Sequence, residues 1–251
     1  MSNDSEKSNF SKYGVYTVNE NLELILPETM VKFERIGENV FSYSREDSEG
    51  NLSEKIIPTL SNSLTIELSP IRPLNHPAKR TNYMYLDFTS PIFLSEFVSA
   101  TIFVTCPIEI GIFIIHDGHK DSLDWFTCNP VDSRFGLYGT PELGTLCKYV
   151  QSDIVQSYDD STPFINGVMK INLKNELESG KSVSKSVFPL SDYSLYYKNN
   201  LVIFDTANII LKKKALVEST DVSSLKIDTD WTAAPSYERI QPSKRLNMGV
   251  D

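Results

Sequence analysis

From Tyr13 onward, short apolar runs alternate with polar or proline-containing breaks, and within them the period is near two. The runs that read as strands are 13–18, 22–26, 31–36, 40–44, 55–60 and 64–68, followed by 83–88, 100–105, 108–115, 123–127 and 145–150. A last group covers 168–173, 186–190, 201–210 and 215–218. In 83–88, Met84, Leu86 and Phe88 share one side while Tyr83, Tyr85 and Asp87 share the other, which describes a sheet with one face in water. In 108–115, Ile108, Ile110, Ile112 and Ile114 lie together and Phe113 and Ile115 lie opposite. That strand is expected to be central and covered on both faces.

Prolines fall mostly at the edges of these runs. A proline has no N–H to give to a sheet ladder, so this placement suits many short strands joined by turns. Only 149–158 carries helical spacing, through Val150, Ile154 and Tyr158, and it reads either as a short helix or as a strand entering a loop. The predicted fold is all-β: an antiparallel β-sandwich of many short strands with little helix. Its core is expected over 12–217, with a candidate division into two β domains at 156–163 (QSYDDSTP). A disordered arm is expected over 1–11 and a polar C-terminal extension over 218–251, where Val222, Leu225, Ile227 and Trp231 offer one more docking strand. No repeat of fixed period runs through the chain.

Composition sharpens this picture. The apolar share is 40%, below the roughly 45–50% of typical domains, and polar tails outside a folded core account for the deficit. A net charge of −9 and a pI near 4.9 leave no positive field for a phosphate backbone, so nucleic acid is not an expected partner. The opening MSNDSEKSNFSKYG has no apolar run of signal-peptide length, and the longest apolar stretch, 108–115, includes Glu109. Spanning a bilayer as a helix takes about 20 such residues, so no membrane span and a cytoplasmic location are expected. Three cysteines, Cys106, Cys128 and Cys147, cannot all pair within one chain, and none has metal-binding spacing. Cys106 and Cys147 fall within strand-like apolar runs and read as small core residues, and the chain reads as one of a reducing compartment.

The cluster with metal-ligand character is His116-Asp117-Gly118-His119-Lys120-Asp121, with Asp124 close behind. Imidazoles and carboxylates gathered at one loop can hold zinc or another divalent ion at an open site, so His116, Asp117 and His119 are the candidate metal ligands. The competing reading is a polar hairpin, because Asp-Gly marks a tight turn between strands 108–115 and 123–127. No cofactor other than that candidate metal is expected. Residues 139–145 (GTPELGT) have the glycine spacing of a phosphate loop but lack the lysine after the second glycine and carry Glu142. A hairpin turn explains them better. Lys212-Lys213-Lys214 reads as a solvated turn or a guarded sheet edge, and alternatively as a basic patch for an acidic partner. No G-x-S-x-G elbow occurs, and the three histidines, His76, His116 and His119, form no triad order with a serine. Tyr83, Tyr85, Tyr193, Tyr196, Tyr197 and Trp125 are the candidates for an aromatic platform that would take a sugar or a peptide.

Four stretches are familiar as a set: Tyr13-Gly14, 69–75 (SPIRPLN), 106–114 (CPIEIGIFI) and 135–149 (FGLYGTPELGTLCKY). Together they resemble an archaeal family known only as domain of unknown function 432, over about residues 12 to 217. The resemblance implies an archaeal, β-rich, intracellular protein and supplies no activity and no site residue. The functional expectation is a non-enzymatic module for protein interaction, self-association included, or for ligand binding. The alternatives are a metal-dependent hydrolase or metal-binding protein using the His116–His119 loop, and a carbohydrate or small-ligand binder using a Tyr/Trp face.

Overall fold

The computed structural model describes residues 10–75, 81–128, 134–212, 218–223 and 230–236. The first strands are β1 (Gly14–Val18), β2 (Asn21–Leu26), β3 (Thr29–Gly37), β4 (Val40–Asp47), β5 (Leu52–Pro58) and β6 (Leu64–Ile71). Next come β7 (Tyr83–Leu94), β8 (Ser99–Pro107), β9 (Glu109–His116), β10 (His119–Phe126), β11 (Arg134–Tyr138), β12 (Thr145–Ser152) and β13 (Ile154–Val155). The last are β14 (Asn166–Asn175), β15 (Lys181–Pro189), β16 (Leu195–Lys198), β17 (Leu201–Phe204), β18 (Thr206–Leu211), β19 (Glu218–Ser223) and β20 (Thr232–Ala233). Two 3-10 turns, Tyr158–Asp160 and Leu190–Asp192, are the helical elements among the described residues. The fold is all-β and sandwich-like. The arm at 1–9, His76, and the lysines at 213 and 214 lie outside the described residues.

The strands form four sheets. The antiparallel meander β2-β3-β4-β5 puts Leu24, Val31, Phe33, Phe41 and Tyr43 on its inner face, each at most 1% exposed. Its outer face carries Ile25, Leu52 and Ile56 in solvent. Full burial of one such side chain stabilises by about 1.5–3 kcal/mol, so the period-two pattern sets which face turns inward. The second sheet, β1-β6-β9-β10, meets the meander with Leu64, Ile66 and Leu68 of β6 and Ile110 and Ile112 of β9. Its other face, with Glu67, Ser69, Ile71, Glu109 and Phe113, is buried too, so β9 is covered on both sides as its sequence predicts.

The remaining sheets are β11-β12-β7-β15 and a larger one in the order β13-β8-β14-β17-β16-β20, with β18 beside β14 and β19 beside β18. Met84, Leu86 and Phe88 point inward from β7, and Val104, Met169, Ile171 and Leu173 from β8 and β14. These side chains belong to one buried cluster that also contains the N-terminal core. Most pairings are antiparallel, but β12 runs parallel to β7, and β17 and β18 run parallel to β14. The single apolar run 201–210 is two strands, split at buried Asp205. Asp205 accepts a bond from Ser194 N at 2.8 Å and one from the Tyr196 hydroxyl at 3.3 Å, and these bonds set the break. The ambiguous stretch 149–158 is the end of β12, then β13, then the start of a 3-10 turn.

A buried asparagine pins one end of this half. Asn175 Nδ2 donates to the carbonyls of Leu94, Ser95 and Ser179, and Asn175 Oδ1 accepts from Leu177 N at 3.0 Å. Asn175→Ala is expected to cost about 2–3 kcal/mol, because several buried backbone groups lose their partners at once. Urea denaturation measures it, and a loss below about 0.5 kcal/mol, the range of ordinary surface changes, would contradict the pinning role.

Candidate functional site

The His116–His119 loop is the turn of the β9–β10 hairpin. Asp117 and Gly118 both have positive φ, 47° and 77°, the geometry of a two-residue type I′ turn. His116 and His119 are therefore direct cross-strand neighbours, with ring centroids 6.4 Å apart. His116 Nδ1 lies 3.5 Å from Asp121 Oδ2, and both side chains are more than half exposed. Among the described residues, no three His, Cys, Asp or Glu side chains gather in a way that could hold a metal ion.

Asp124 leaves that loop altogether. A bulge between Ser122 and Asp124 shifts the register of β10, so Asp124 stands opposite Ile112 on the core face. Without the extra residue, period two would have turned it to the other side. There its Oδ2 accepts from the Tyr43 hydroxyl at 2.6 Å and from Arg45 Nε at 2.8 Å, and Lys55 Nζ lies 3.8 Å from Oδ1. Arg45 covers the Phe126 ring at 4.8 Å, and Lys55 Nζ also donates to the Leu123 carbonyl. Burial first, and then the neighbouring Asp124, push the Tyr43 phenol well above its ordinary value. The arrangement is a charged staple between the meander and β10.

Two other buried carboxylates lie on the far side of the β6–β9 pair. Glu67 is ion-paired with Lys120 and accepts from the Tyr197 hydroxyl at 3.5 Å, and burial followed by Glu67 raises the Tyr197 phenol to about 12. Glu109 accepts from Asn75 N at 3.1 and 3.0 Å and faces Lys148 Nζ at 3.9 Å. Lys148 Nζ also donates to the Pro73 carbonyl at 3.2 Å. Burial lowers the Lys148 ammonium below its ordinary value while Glu109 opposes that shift. The two glutamates are four register positions apart on adjacent strands, about 13 Å at strand rise, too far to work as a carboxylate pair.

The outer face of β11-β12-β7-β15 is different. Tyr85 and Tyr149 are register partners, with ring centroids 5.5 Å apart, and Tyr138 lies 5.9 Å from Tyr85 on the other side. Between them the sheet surface is made of small residues, Gly136 opposite Cys147. A methyl group placed on Gly136 would sit 3.9 Å from Tyr85 Cδ1 and 4.0 Å from Tyr149 Cδ2. The Tyr85 ring therefore leans across β12 towards β11 and helps bury Cys147, which is 0% exposed although it lies on the outward side. Tyr149 donates its hydroxyl to Asp87 Oδ2 at 2.6 Å, which raises its phenol. Arg134 from β11 and Lys185 from β15 complete the face as exposed cations.

A family model described as a protein of unknown function (DUF432) matches residues 12–247. The chain belongs to that family. No curated protein and no solved structure matches it. In this DUF432 chain, three of the stretches that carried the resemblance meet at one buried point: Pro73 and Asn75, Glu109, and Lys148. No helix among its described residues is long and apolar enough to cross a membrane.

Of the aromatic residues singled out from the DUF432 sequence, only Tyr83 and Tyr85 reach the tyrosine face. Tyr193, Tyr196 and Tyr197 are at most 9% exposed, and Trp125 lies half-buried on β10. Tyr138 and Tyr149 were not singled out. Their signal is faint: Tyr138 lies on β11, only five residues long with a glycine at its centre, and Tyr149 lies on β12, whose run Leu146-Cys147-Lys148-Tyr149-Val150 shows no clean alternation.

Proposed function

We propose that this protein is a non-enzymatic binding module that recognises a partner protein through the tyrosine face of β11-β12-β7-β15. The observation that carries the reading is the Tyr85 ring, laid across Gly136 and Cys147 and flanked by Tyr138 and Tyr149. Tyrosine brings a large rigid surface with few torsions to freeze, and tyrosine and arginine are the residues that dominate protein contact energies. Exposed Arg134 and Lys185 supply charge at the rim, where it steers encounter more than it adds affinity. The Asp87 carboxylate accepts from the Tyr149 hydroxyl within the face, so what the face presents outward is chiefly aromatic surface with a cationic rim. A protein contact fits such a surface.

The test compares native capture from source-cell extract by the wild-type protein and by Tyr85→Ala. Removing the central ring is expected to weaken a specific partner by about thirtyfold or more, the loss typical of an interface hot spot, while the circular dichroism spectrum stays unchanged. Recovery of the same partners at the same affinity by both proteins overturns the proposal. So does recovery of the wild-type protein with nothing bound.

A further inference from the structure

Building on the proposed tyrosine-face contact, we infer that its ligand is an extended acidic segment of the partner, with two carboxylates four or five residues apart that meet Arg134 and Lys185 on opposite sides of the face. Cross-strand register partners share a face of a sheet, and this places both cations. Arg134 is the partner of Tyr149, Tyr149 of Tyr85 and Tyr85 of Val187, so the four form one row across β11, β12, β7 and β15. In the adjacent row Asp87 stands between Gln151 and Lys185. Arg134 and Lys185 are exposed, and neither makes an ion pair among the described residues. The four strands hold four cations, Arg134, Lys148, Lys181 and Lys185, against the single acid Asp87, in a chain whose net charge is −9. Lys148 is turned inward to Glu109, and Asp87 already accepts from the Tyr149 hydroxyl at 2.6 Å. The sheet therefore offers an incoming chain local positive charge that the molecule as a whole lacks.

Sheet geometry sets the spacing. Three strand separations of about 4.8 Å lie between β11 and β15, and Lys185 stands two residues, about 6.7 Å, along from the row of Arg134. The two backbone positions are then about 16 Å apart. An extended chain advances about 3.3 Å per residue, so it covers that diagonal in about five residues, or four when the long side chains lean inward. Between its acids the segment crosses Tyr149 and Tyr85, with Tyr83, 41% exposed, alongside, and apolar side chains there gain contact with ring surface. One carboxylate takes a two-point bond from the planar Arg134 guanidinium, and the other takes the point charge of Lys185. A basic segment would meet like charge at both ends. The overall charge repels an acidic partner at long range, but at physiological salt that field is screened beyond about 8 Å, so the cations on the face outweigh it at contact.

A synthetic peptide array probed with the purified full chain tests this. Its peptides carry two aspartates at every separation from adjacent to well beyond that span, with leucine, proline and alanine between them, and matched series replace the aspartates by lysine or serine. Binding is expected to peak for aspartates four or five residues apart. Arg134→Glu and Lys185→Glu, both at exposed positions, are each expected to weaken it about fivefold or more, the worth of an exposed ion pair. The double variant is expected to reverse the preference and select the lysine series. Tyr85→Ala weakens all series alike, because it removes ring contact and leaves the charges in place. Equal binding of the three series, still lost with Tyr85→Ala, overturns the acidic segment and leaves the tyrosine-face contact standing. Aspartate peptides that bind equally at every spacing, or that ignore both charge reversals, overturn it as well. So does an array with no peptide bound, whereas native capture with Tyr85→Ala decides the tyrosine face separately.

Discussion

Replacing Asp124 by alanine is expected to lower the unfolding free energy by about 3–5 kcal/mol, the cost of breaking a buried ion pair from one side. The reason is what remains behind. The Tyr43 hydroxyl and the Arg45 guanidinium both aim at one carboxylate oxygen, and the Arg45 side chain is only 18% exposed. With Asp124 gone, a cation and a phenol are left desolvated between two sheets, without the acceptor that offset their burial. Exposed ion pairs behave differently and contribute at most about 1 kcal/mol. Urea denaturation distinguishes the two cases, and a shift in midpoint without a change in slope is expected. A loss below about 1 kcal/mol would mean that water already reaches the staple. The triple variant Tyr43→Phe, Arg45→Met, Asp124→Leu should recover most of the loss, because an apolar set of similar volume needs no compensation.

The second large effect is alkaline. Burial raises the thiols of Cys106 and Cys128, the latter to about 12, and the phenols of Tyr13, Tyr43 and Tyr197, the last to about 12. Their ordinary values are 9.0 for the thiol and 10.0 for the phenol. Between the ordinary and the raised value, the unfolded chain has lost the proton that the folded chain keeps. Stability then falls as pH rises, by about 1.4 kcal/mol per pH unit for each group inside its window. The contribution is fully present below pH 9, begins to fall as the thiols enter, and falls faster above pH 10 when the phenols join. Urea midpoints from pH 8 to 11 measure this, and ultraviolet titration should show these three tyrosines ionising only with unfolding. A midpoint that stays flat past pH 10.5 would show that these groups are hydrated in the folded protein.

Both effects depend on groups whose surroundings the sequence does not display. Asp124 lies near His116 and His119 in sequence and shares their polar character, so it reads as part of the same loop. A one-residue bulge in β10 sends it to the opposite face, and the partners it finds, Tyr43 and Arg45, are about eighty positions away. Bulges have no reliable composition signal, since any residue can be the extra one. The tyrosine face was half legible for a related reason. Tyr83 and Tyr85 stand out because β7 alternates over a long stretch, whereas Tyr138 and Tyr149 come from strands brought alongside by a parallel pairing. The same alternation that marks a face carries no information about which strand will lie beside it.

What the sequence determined by itself is therefore local. Period-two alternation, prolines at run edges and the Asp-Gly turn specify short strands, the inward set Met84, Leu86 and Phe88, and the β9–β10 hairpin, because each rests on neighbours within a few residues. Only the tertiary structure decided the strand order, the break at Asp205, the burial of Glu67 and Glu109, and the setting of the Tyr85 ring over Gly136. Those outcomes depend on which distant segments meet. Chain connectivity leaves that choice open, and burial and hydrogen-bond satisfaction settle it when the whole core closes.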